Sequence, residues 1–312
     1  MDFELDDTQQ AVADLARDVL AREPDPDSAW KALGHAGLLS GDGLGVLETA
    51  LVLTEVGRAA APLPALSTLA LGVLPIVHCG TERQRAMLSP VAAGERFLTA
   101  ALRGEVTADG DLLSGTVVGV PDAARAHAIL VPAGDTVFLV APEDVTLTAT
   151  YTASGAQAHT VVLDRARGDR LCDTVELRRF ALAGACAYGD GLLAGALSLT
   201  ANHVRTREQF GKPLATFQAV AQQIADVYVA SRTLHLAAWS AIWRLAEHRD
   251  PDDDLAIAAY WLTEEAMPAL HTCHHLHGGL GVDESYAMHR YYSATKDLVR
   301  LLGGVEHRLA AV

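Results

Sequence analysis

The sequence predicts a mainly α-helical chain with a small antiparallel β domain between an N-terminal helical domain and a C-terminal four-helix bundle. Three observations predict it. Apolar side chains recur at helical spacing at both ends of the chain. Between Phe97 and about Leu163 the text breaks into short β-branched runs separated by turn residues. The segment after Asp173 is long and crowded with Gly and Ala. The implied domains are 1–96, 97–172 and 173–312.

Val12, Leu15, Ala16, Val19 and Leu20 form the first stripe, with Asp6 and Asp7 placed to cap its start. Glu23-Pro-Asp-Pro-Asp-Ser ends that helix, and Trp30, Leu33 and Leu38 mark a second. Val46–Val56 predicts a third, ended by Gly57. The uncharged run from Ala59 to Thr81 carries Pro62, Pro64 and Pro75, so it predicts a loop joining buried helices rather than a membrane span. Thr81 is placed to cap a helix over Glu82–Leu88. Strands are predicted at Gly115-Thr-Val-Val-Gly-Val, Ala128-Ile-Leu-Val, Thr136-Val-Phe-Leu-Val, Val145-Thr-Leu-Thr and Thr160-Val-Val-Leu. Asp109-Gly110, Gly134-Asp135 and Pro142-Glu-Asp supply the turns between them. Four long helices follow, over Thr174–Arg207, Pro213–His248, Asp252–His277 and Ser285–Leu302. Small residues along the first of these (Ala181 to Ala196) predict close neighbours in the middle of the bundle.

Composition narrows the function. A formal charge of −15 on 312 residues argues against nucleic-acid or anionic-membrane partners, which need clustered Lys and Arg. The four cysteines stand far apart without a CxxC pair, which excludes a zinc ribbon or a dense disulfide framework. Met1-Asp-Phe-Glu is acidic where a secretory signal is basic, so a soluble cytoplasmic protein is predicted. Gly41-Asp-Gly43-Leu-Gly45 lacks the spacing and the preceding strand of a dinucleotide fingerprint. His271, Cys273, His274, His275 and His277 crowd one helix, but no acidic or thiol partner stands at metal-ligand spacing, so no metal is predicted.

Two motifs carry the chemistry. The first is Arg205-Thr-Arg207-Glu-Gln209-Phe210-Gly211-Lys-Pro-Leu214-Ala-Thr-Phe217-Gln218, followed by Ile224-Ala-Asp226. The second is His274-His275-Leu276-His277-Gly278-Gly279-Leu-Gly281, followed by Tyr286-Ala-Met-His-Arg290-Tyr and Ala294-Thr-Lys296. Together with the helix–sheet–helix order they resemble the flavin-binding signatures of the acyl-CoA dehydrogenase family, and the resemblance covers essentially the whole chain.

The resemblance implies FAD lying between subunits, with its ADP end held by a neighbour's bundle. It assigns cofactor contacts to Arg207, Gln209, Phe210, Leu214, Phe217, Gln218, His275, Leu276, Gly278 and Gly279. Arg207 offers a planar fork of donors for pyrophosphate, the glutamines donate, the phenylalanines form apolar walls, and the glycines admit a close backbone. Taken singly, Arg207 equally suits a solvated arginine and the phenylalanines plain core. The family commonly has Gln where His275 stands, and an imidazole still donates one hydrogen bond. The resemblance also implies an acyl-CoA substrate, an electron-transfer flavoprotein as partner, and substrate contact at Arg179.

The family's reaction needs a carboxylate to take the proton beside the thioester. Relatives carry that glutamate at one of two places, which here hold Leu302, before Gly303, and Arg178, before Arg179. Of the nearby acids, Glu306 is on a similar face but one turn on, past Gly303-Gly304, which end the helix, while Asp297 and Glu176 face elsewhere, and the identity of the base stays unknown. The Leu98-Thr99-Ala100-Ala101-Leu102 segment resembles the start of a flavin-ring contact whose following turn is deleted. This combination, with Gly43-Leu-Gly-Val-Leu-Glu and Glu55-Val-Gly-Arg-Ala-Ala-Ala-Pro-Leu-Pro, resembles the short subunits of heteromeric α2β2 acyl-CoA dehydrogenases of actinobacterial steroid degradation. A paralogous partner subunit is therefore expected. A self-sufficient homo-oligomeric enzyme with a displaced base and a flavin-free acyl-thioester-binding scaffold are the alternatives.

Overall fold

The structure is a computed structural model and describes residues 5–41 and 43–312; the Met1-Asp-Phe-Glu opening and Asp42 lie outside the described residues. Helices α1 (Asp7–Arg22), α2 (Pro26–His35) and α3 (Val46–Arg58) come first. Asp6 caps α1 in a reciprocal box, its carboxylate accepting from the Gln9 N–H at 2.8 Å while the Gln9 side chain accepts from the Asp6 N–H at 3.1 Å. The predicted stripe is only partly inward. Ala13 and Ala16 are buried, but Leu15 is 43% exposed.

The loop expected over Ala59–Thr81 is not one. Residues Leu66–Val73 form a buried π-helical segment that runs into α4 (Leu74–Cys79). Leu74 donates to the carbonyl of Leu69, five residues back. That widened turn is what admits Pro75, whose ring would collide with the carbonyl four residues before it in an ordinary α-helix. Thr81 then caps the short α5 (Glu82–Arg85), which continues as a 3₁₀ turn to Leu88, and α6 (Ser89–Ala92) closes the region.

Strands β1 (Phe97–Ala100), β2 (Gly104–Asp109), β3 (Leu112–Pro121), β4 (Ala126–Ala133), β5 (Thr136–Val140), β6 (Thr146–Thr150) and β7 (Ala158–Asp173) pair in the order β1-β4-β5-β7-β3-β2, with β6 also on β7. The sheet is mixed rather than antiparallel throughout, because β1 runs parallel to β4. β7 runs ten residues past Leu163. Its first part pairs with β3 and β6 and its last part with β5, with Arg165 at φ 53° near the changeover. Leu113, Val117, Ile129, Phe138, Val161 and Leu163 fill the interior.

The rest is helical: α7 (Thr174–Thr206), α8 (Gln218–Ala246), α9 (Asp252–His277), α10 (Met288–Leu301) and α11 (Val305–Leu309), with a two-residue hairpin of β8 (Glu208–Gln209) and β9 (Lys212–Pro213) after α7. The fourth bundle helix therefore starts three residues later than Ser285, and α8 five residues later than Pro213. α7 is long and apolar enough to cross a membrane, but 83% of its most apolar window is buried inside the protein, so it is a core helix. Its glycines have the predicted use. A Cβ on Gly191 would run into the Thr54 carbonyl of α3, and one on Gly184 into the Ala70 side chain. The chain divides into two compact units. One comprises Met1–Leu53 with Pro62–Gly184, the other Thr54–Ala61 with Ala185–Val312.

Candidate functional site

The first motif is a self-contained loop. The Arg207 N–H donates to the His203 carbonyl at 2.8 Å, and the Arg207 carbonyl accepts from Leu214 at 2.9 Å, closing the β8–β9 hairpin. Phe210 and Gly211 turn it with φ of 52° and 78°. Positive φ at both central residues is the tight-hairpin geometry that favours Asn-Gly or Gly-Gly, so a phenylalanine there is strained. Its ring is 93% exposed and meets Phe217 edge-on at 6.3 Å. The Lys212 ammonium sits 4.3 Å over the Phe217 ring, leaving Phe217 and Leu214 half-buried. Arg207, Gln209 and Gln218 are exposed, and among the described residues their side chains make no hydrogen bond or ion pair.

The second motif ends α9. Leu276 is 7% exposed, so its side chain belongs to the bundle core, whereas His275, Gly278 and Gly279 face outward. Gly278 turns at φ 57°, and the space a Cβ would enter at either glycine is open.

A residue that sequence reasoning missed joins the two motifs. His203, one turn before Arg207, stacks on His277, the residue before Gly278, with ring centroids 4.4 Å apart and planes at 24°. His277 is 5% exposed, its Nδ1 lies 2.8 Å from the Cys273 carbonyl, and its buried Nε2 has no partner among the described residues. The only sequence signal was the four-residue step from His203 to Arg207, which places the imidazole under the loop. Two more of the clustered histidines contact Tyr292: His271 Nε2 lies 2.8 Å from its hydroxyl, and the His274 ring meets it edge-on at 4.8 Å.

The two positions where the resemblance leads one to expect a base hold Leu302 and Arg178. Leu302 is 4% exposed at the end of α10, and its carbonyl accepts from Arg308 Nε at 2.7 Å. Gly303 and Gly304, at φ 94° and 81°, break the helix there, and Glu306 lies beyond them on α11, exposed. In the other unit Arg178 is exposed, and Arg179 pairs with Glu176 at 3.0 Å. The expected ring-contact segment is closed off as well. Thr99 is fully buried and donates to the Pro121 carbonyl at 2.6 Å, and only Ala101–Arg103 separate β1 from β2.

The acyl-CoA dehydrogenase N-terminal domain matches residues 6–95 and the acyl-CoA dehydrogenase C-terminal domain residues 172–309. Acyl-CoA dehydrogenase FadE28 of Mycobacterium tuberculosis is 48% identical over 99% of this chain and 97% of its own length. The chain belongs to the acyl-CoA dehydrogenase family. Among solved structures, the ChsE4-ChsE5 complex from Mycobacterium tuberculosis gives a TM-score of 0.92 at 32% identity, covering 99% of this chain and 97% of the matched one. The Tcur3481-Tcur3483 steroid ACAD G363A variant gives 0.91 at 31% identity, covering 97% and 96%.

Members of this family bind FAD, and the bundle of this acyl-CoA dehydrogenase has a donor set that fits the nucleotide end. An unpartnered guanidinium, two unpartnered amides and two glycines with open space beside them suit a pyrophosphate and an adenosine.

The histidine stack gives the bundle a pH dependence of known sign. Burial first, then the His277 and Arg207 charges, hold His203 below the ordinary imidazole value; burial does the same to His277 and to His274. A histidine depressed in the folded state contributes stability that is complete above the unfolded value of about 6.5 and is lost as pH falls below it. The thermal midpoint of the native chain should therefore fall between pH 7 and pH 5 more steeply than that of His203→Phe, which keeps a ring in the stack without the charge. Parallel slopes would remove the stack from the explanation.

Proposed function

We propose that this chain is one subunit of a heteromeric FAD-dependent acyl-CoA dehydrogenase that desaturates an acyl-CoA thioester between its α and β carbons. Its bundle holds the ADP end of an FAD whose ring, and whose catalytic carboxylate, belong to a paralogous partner. The observation that carries this is the asymmetry between the two ends of the site. Arg207, Gln209 and Gln218 stand exposed with no side-chain hydrogen bond or ion pair among the described residues, while Leu302 is buried where an acid is expected and β1 passes to β2 in three residues. The exposed Phe210, and the apolar Tyr228, Val229 and Leu236 left exposed on α8, suit burial against a second subunit.

Bound FAD supplies the hydride acceptor. This chain's own part is binding: Arg207 neutralises pyrophosphate charge, and Gln209 and Gln218 donate to phosphate or adenine. Arg179, steadied by Glu176, stands on the substrate side. A steroid-derived or similarly bulky acyl group is the substrate class, by likeness to the steroid ACAD of the Tcur3481-Tcur3483 structure, and an α2β2 assembly is expected by likeness to the two-component complexes. Electrons leave to an electron-transfer flavoprotein, and the enzyme works in the cytoplasm.

The second reading is a self-sufficient homo-oligomeric enzyme with a displaced base.

Co-expression with a longer relative that carries the glutamate tests the proposal. The expected product is a stable yellow complex of both chains, active on acyl-CoA, where this chain alone is colourless. A yellow, active homo-oligomer would favour the displaced base, and a colourless chain that binds acyl-CoA by itself would favour a scaffold.

A further inference from the structure

His203 and His277 each stand at the root of one bundle motif. The His203 carbonyl accepts the Arg207 N–H at 2.8 Å, and the Arg207 carbonyl accepts from Leu214 at 2.9 Å, so the hairpin hangs from His203 by its backbone. His277 immediately precedes Gly278, whose φ of 57° begins the second turn. Between these two roots the rings stack at 4.4 Å with their planes 24° apart, and the Tyr286 ring lies 5.3 Å from that of His277. A shift of either ring therefore moves one motif against the other.

The stack is built for neutral rings. His277 Nδ1 lies 2.8 Å from the Cys273 carbonyl, which only accepts, so the neutral ring carries its proton on Nδ1 and keeps a lone pair on Nε2. That Nε2 is buried with no partner among the described residues, and the residue is 5% exposed. A second proton would create a buried charge with no acceptor to receive it. His203 rests half-buried against this ring. Burial, His277 and Arg207 all hold it below the ordinary imidazole value, in the same sense as the geometry. The other titratable groups around the stack are His271 and His274 of α9, Asp283 and Tyr286 in the turn before α10, and His289 and Tyr292 on α10. The Asp283 carboxylate accepts from the Ser285 N–H and hydroxyl at 2.8 and 2.7 Å, and His289 Nδ1 donates to the Tyr286 carbonyl at 2.7 Å.

We propose that His203 is a positioning residue for the nucleotide: its neutral ring, stacked on His277, holds the Arg207 hairpin in register with the Gly278–Gly279 turn, and protonation of the stack frees the two motifs from each other and releases the flavin. This rests on the reading that both motifs hold the ADP end of FAD. The sign follows from neutral rings being the binding form. Affinity for FAD is complete above an imidazole value of about 6.5 and falls by up to about tenfold for each pH unit below it, per proton taken up. His275 works in the opposite direction, because a positive charge beside the turn would strengthen a pyrophosphate contact.

The test uses the mixed assembly, gel-filtered at pH 7 and at pH 5, with flavin absorbance per complex as the first readout. The second is amide hydrogen exchange over residues 207–214 of this chain, read by mass spectrometry on the same samples. Native protein is compared with His203→Phe, which keeps a ring on His277 without a titratable nitrogen, and with His203→Ala, which removes the ring. Native assembly should lose flavin at pH 5, and its hairpin should exchange faster than that of His203→Phe at the same pH. The phenylalanine variant should keep flavin at both pH values, and His203→Ala should bind it weakly already at pH 7. Equal loss of flavin at pH 5 by native protein and His203→Phe, or equal exchange over the hairpin, would overturn the proposal. Faster exchange spread over the whole chain at pH 5 would overturn it too, since the stack would then be structural only. A native assembly without flavin at pH 7 would instead overturn the FAD reading, and the hairpin exchange alone would then decide whether His203 positions the loop.

Discussion

Purified without a second subunit, the chain should oxidise acyl-CoA about 10²–10⁴-fold more slowly than an acid-bearing relative, the usual cost of a missing general base. The proton next to a thioester is weakly acidic and leaves only to a positioned carboxylate. Leu302 offers a hydrocarbon side chain at one of the family's two positions, 4% exposed and packed at the end of α10. Arg178 offers a cation at the other, which cannot accept a proton. Glu306 does not substitute, because Gly303 and Gly304 turn the chain before it and α11 starts afresh. Reduction of a ferrocenium-type acceptor by the purified single chain measures the rate. Turnover at ordinary family rates would mean that a displaced base operates.

Much of the fold was legible because its signals are local. Asp6 and Thr81 cap the helices their positions predict, and α9 runs from Asp252 to His277 as the periodicity has it. The misreadings arose where a distant or cooperative term decided the geometry. Pro75 is tolerated through a π-helical turn that only the burial of residues 66–73 stabilises. The β1–β4 pairing is parallel because the chain reaches β1 from a helical segment, and no residue type within β1 announces that. α8 starts five residues after the expected Pro213 because Lys212–Pro213 pair as β9 and Leu214–Thr216 form a 3₁₀ turn before it. The site divides in the same way. The contacts expected at the ADP end all stand in two short motifs that the sequence displays directly. The His203–His277 stack was not, because α7 and α9 meet through tertiary packing.

Arg207→Ala is the substitution with the largest expected effect on cofactor retention. A guanidinium on pyrophosphate makes charge-assisted hydrogen bonds, and losing such a contact costs about 1.5–3 kcal/mol, a weakening of roughly 10- to 100-fold. Arg207 is exposed, and its backbone rather than its side chain ties the loop, through the bonds to His203 and Leu214 at 2.8 and 2.9 Å. Alanine keeps both of those bonds, so the hairpin and the start of α8 should survive. The mixed assembly should then shed flavin on dilution, while the isolated chain keeps its circular dichroism spectrum. Flavin absorbance per complex after gel filtration is the measurement, with Gln218→Ala as a milder companion because an amide carries no charge. Full flavin retention by Arg207→Ala would make Arg207 a solvated surface residue and move the nucleotide site elsewhere. Unfolding of the isolated Arg207→Ala chain would make the residue structural, and the cross-subunit arrangement would lose its main support.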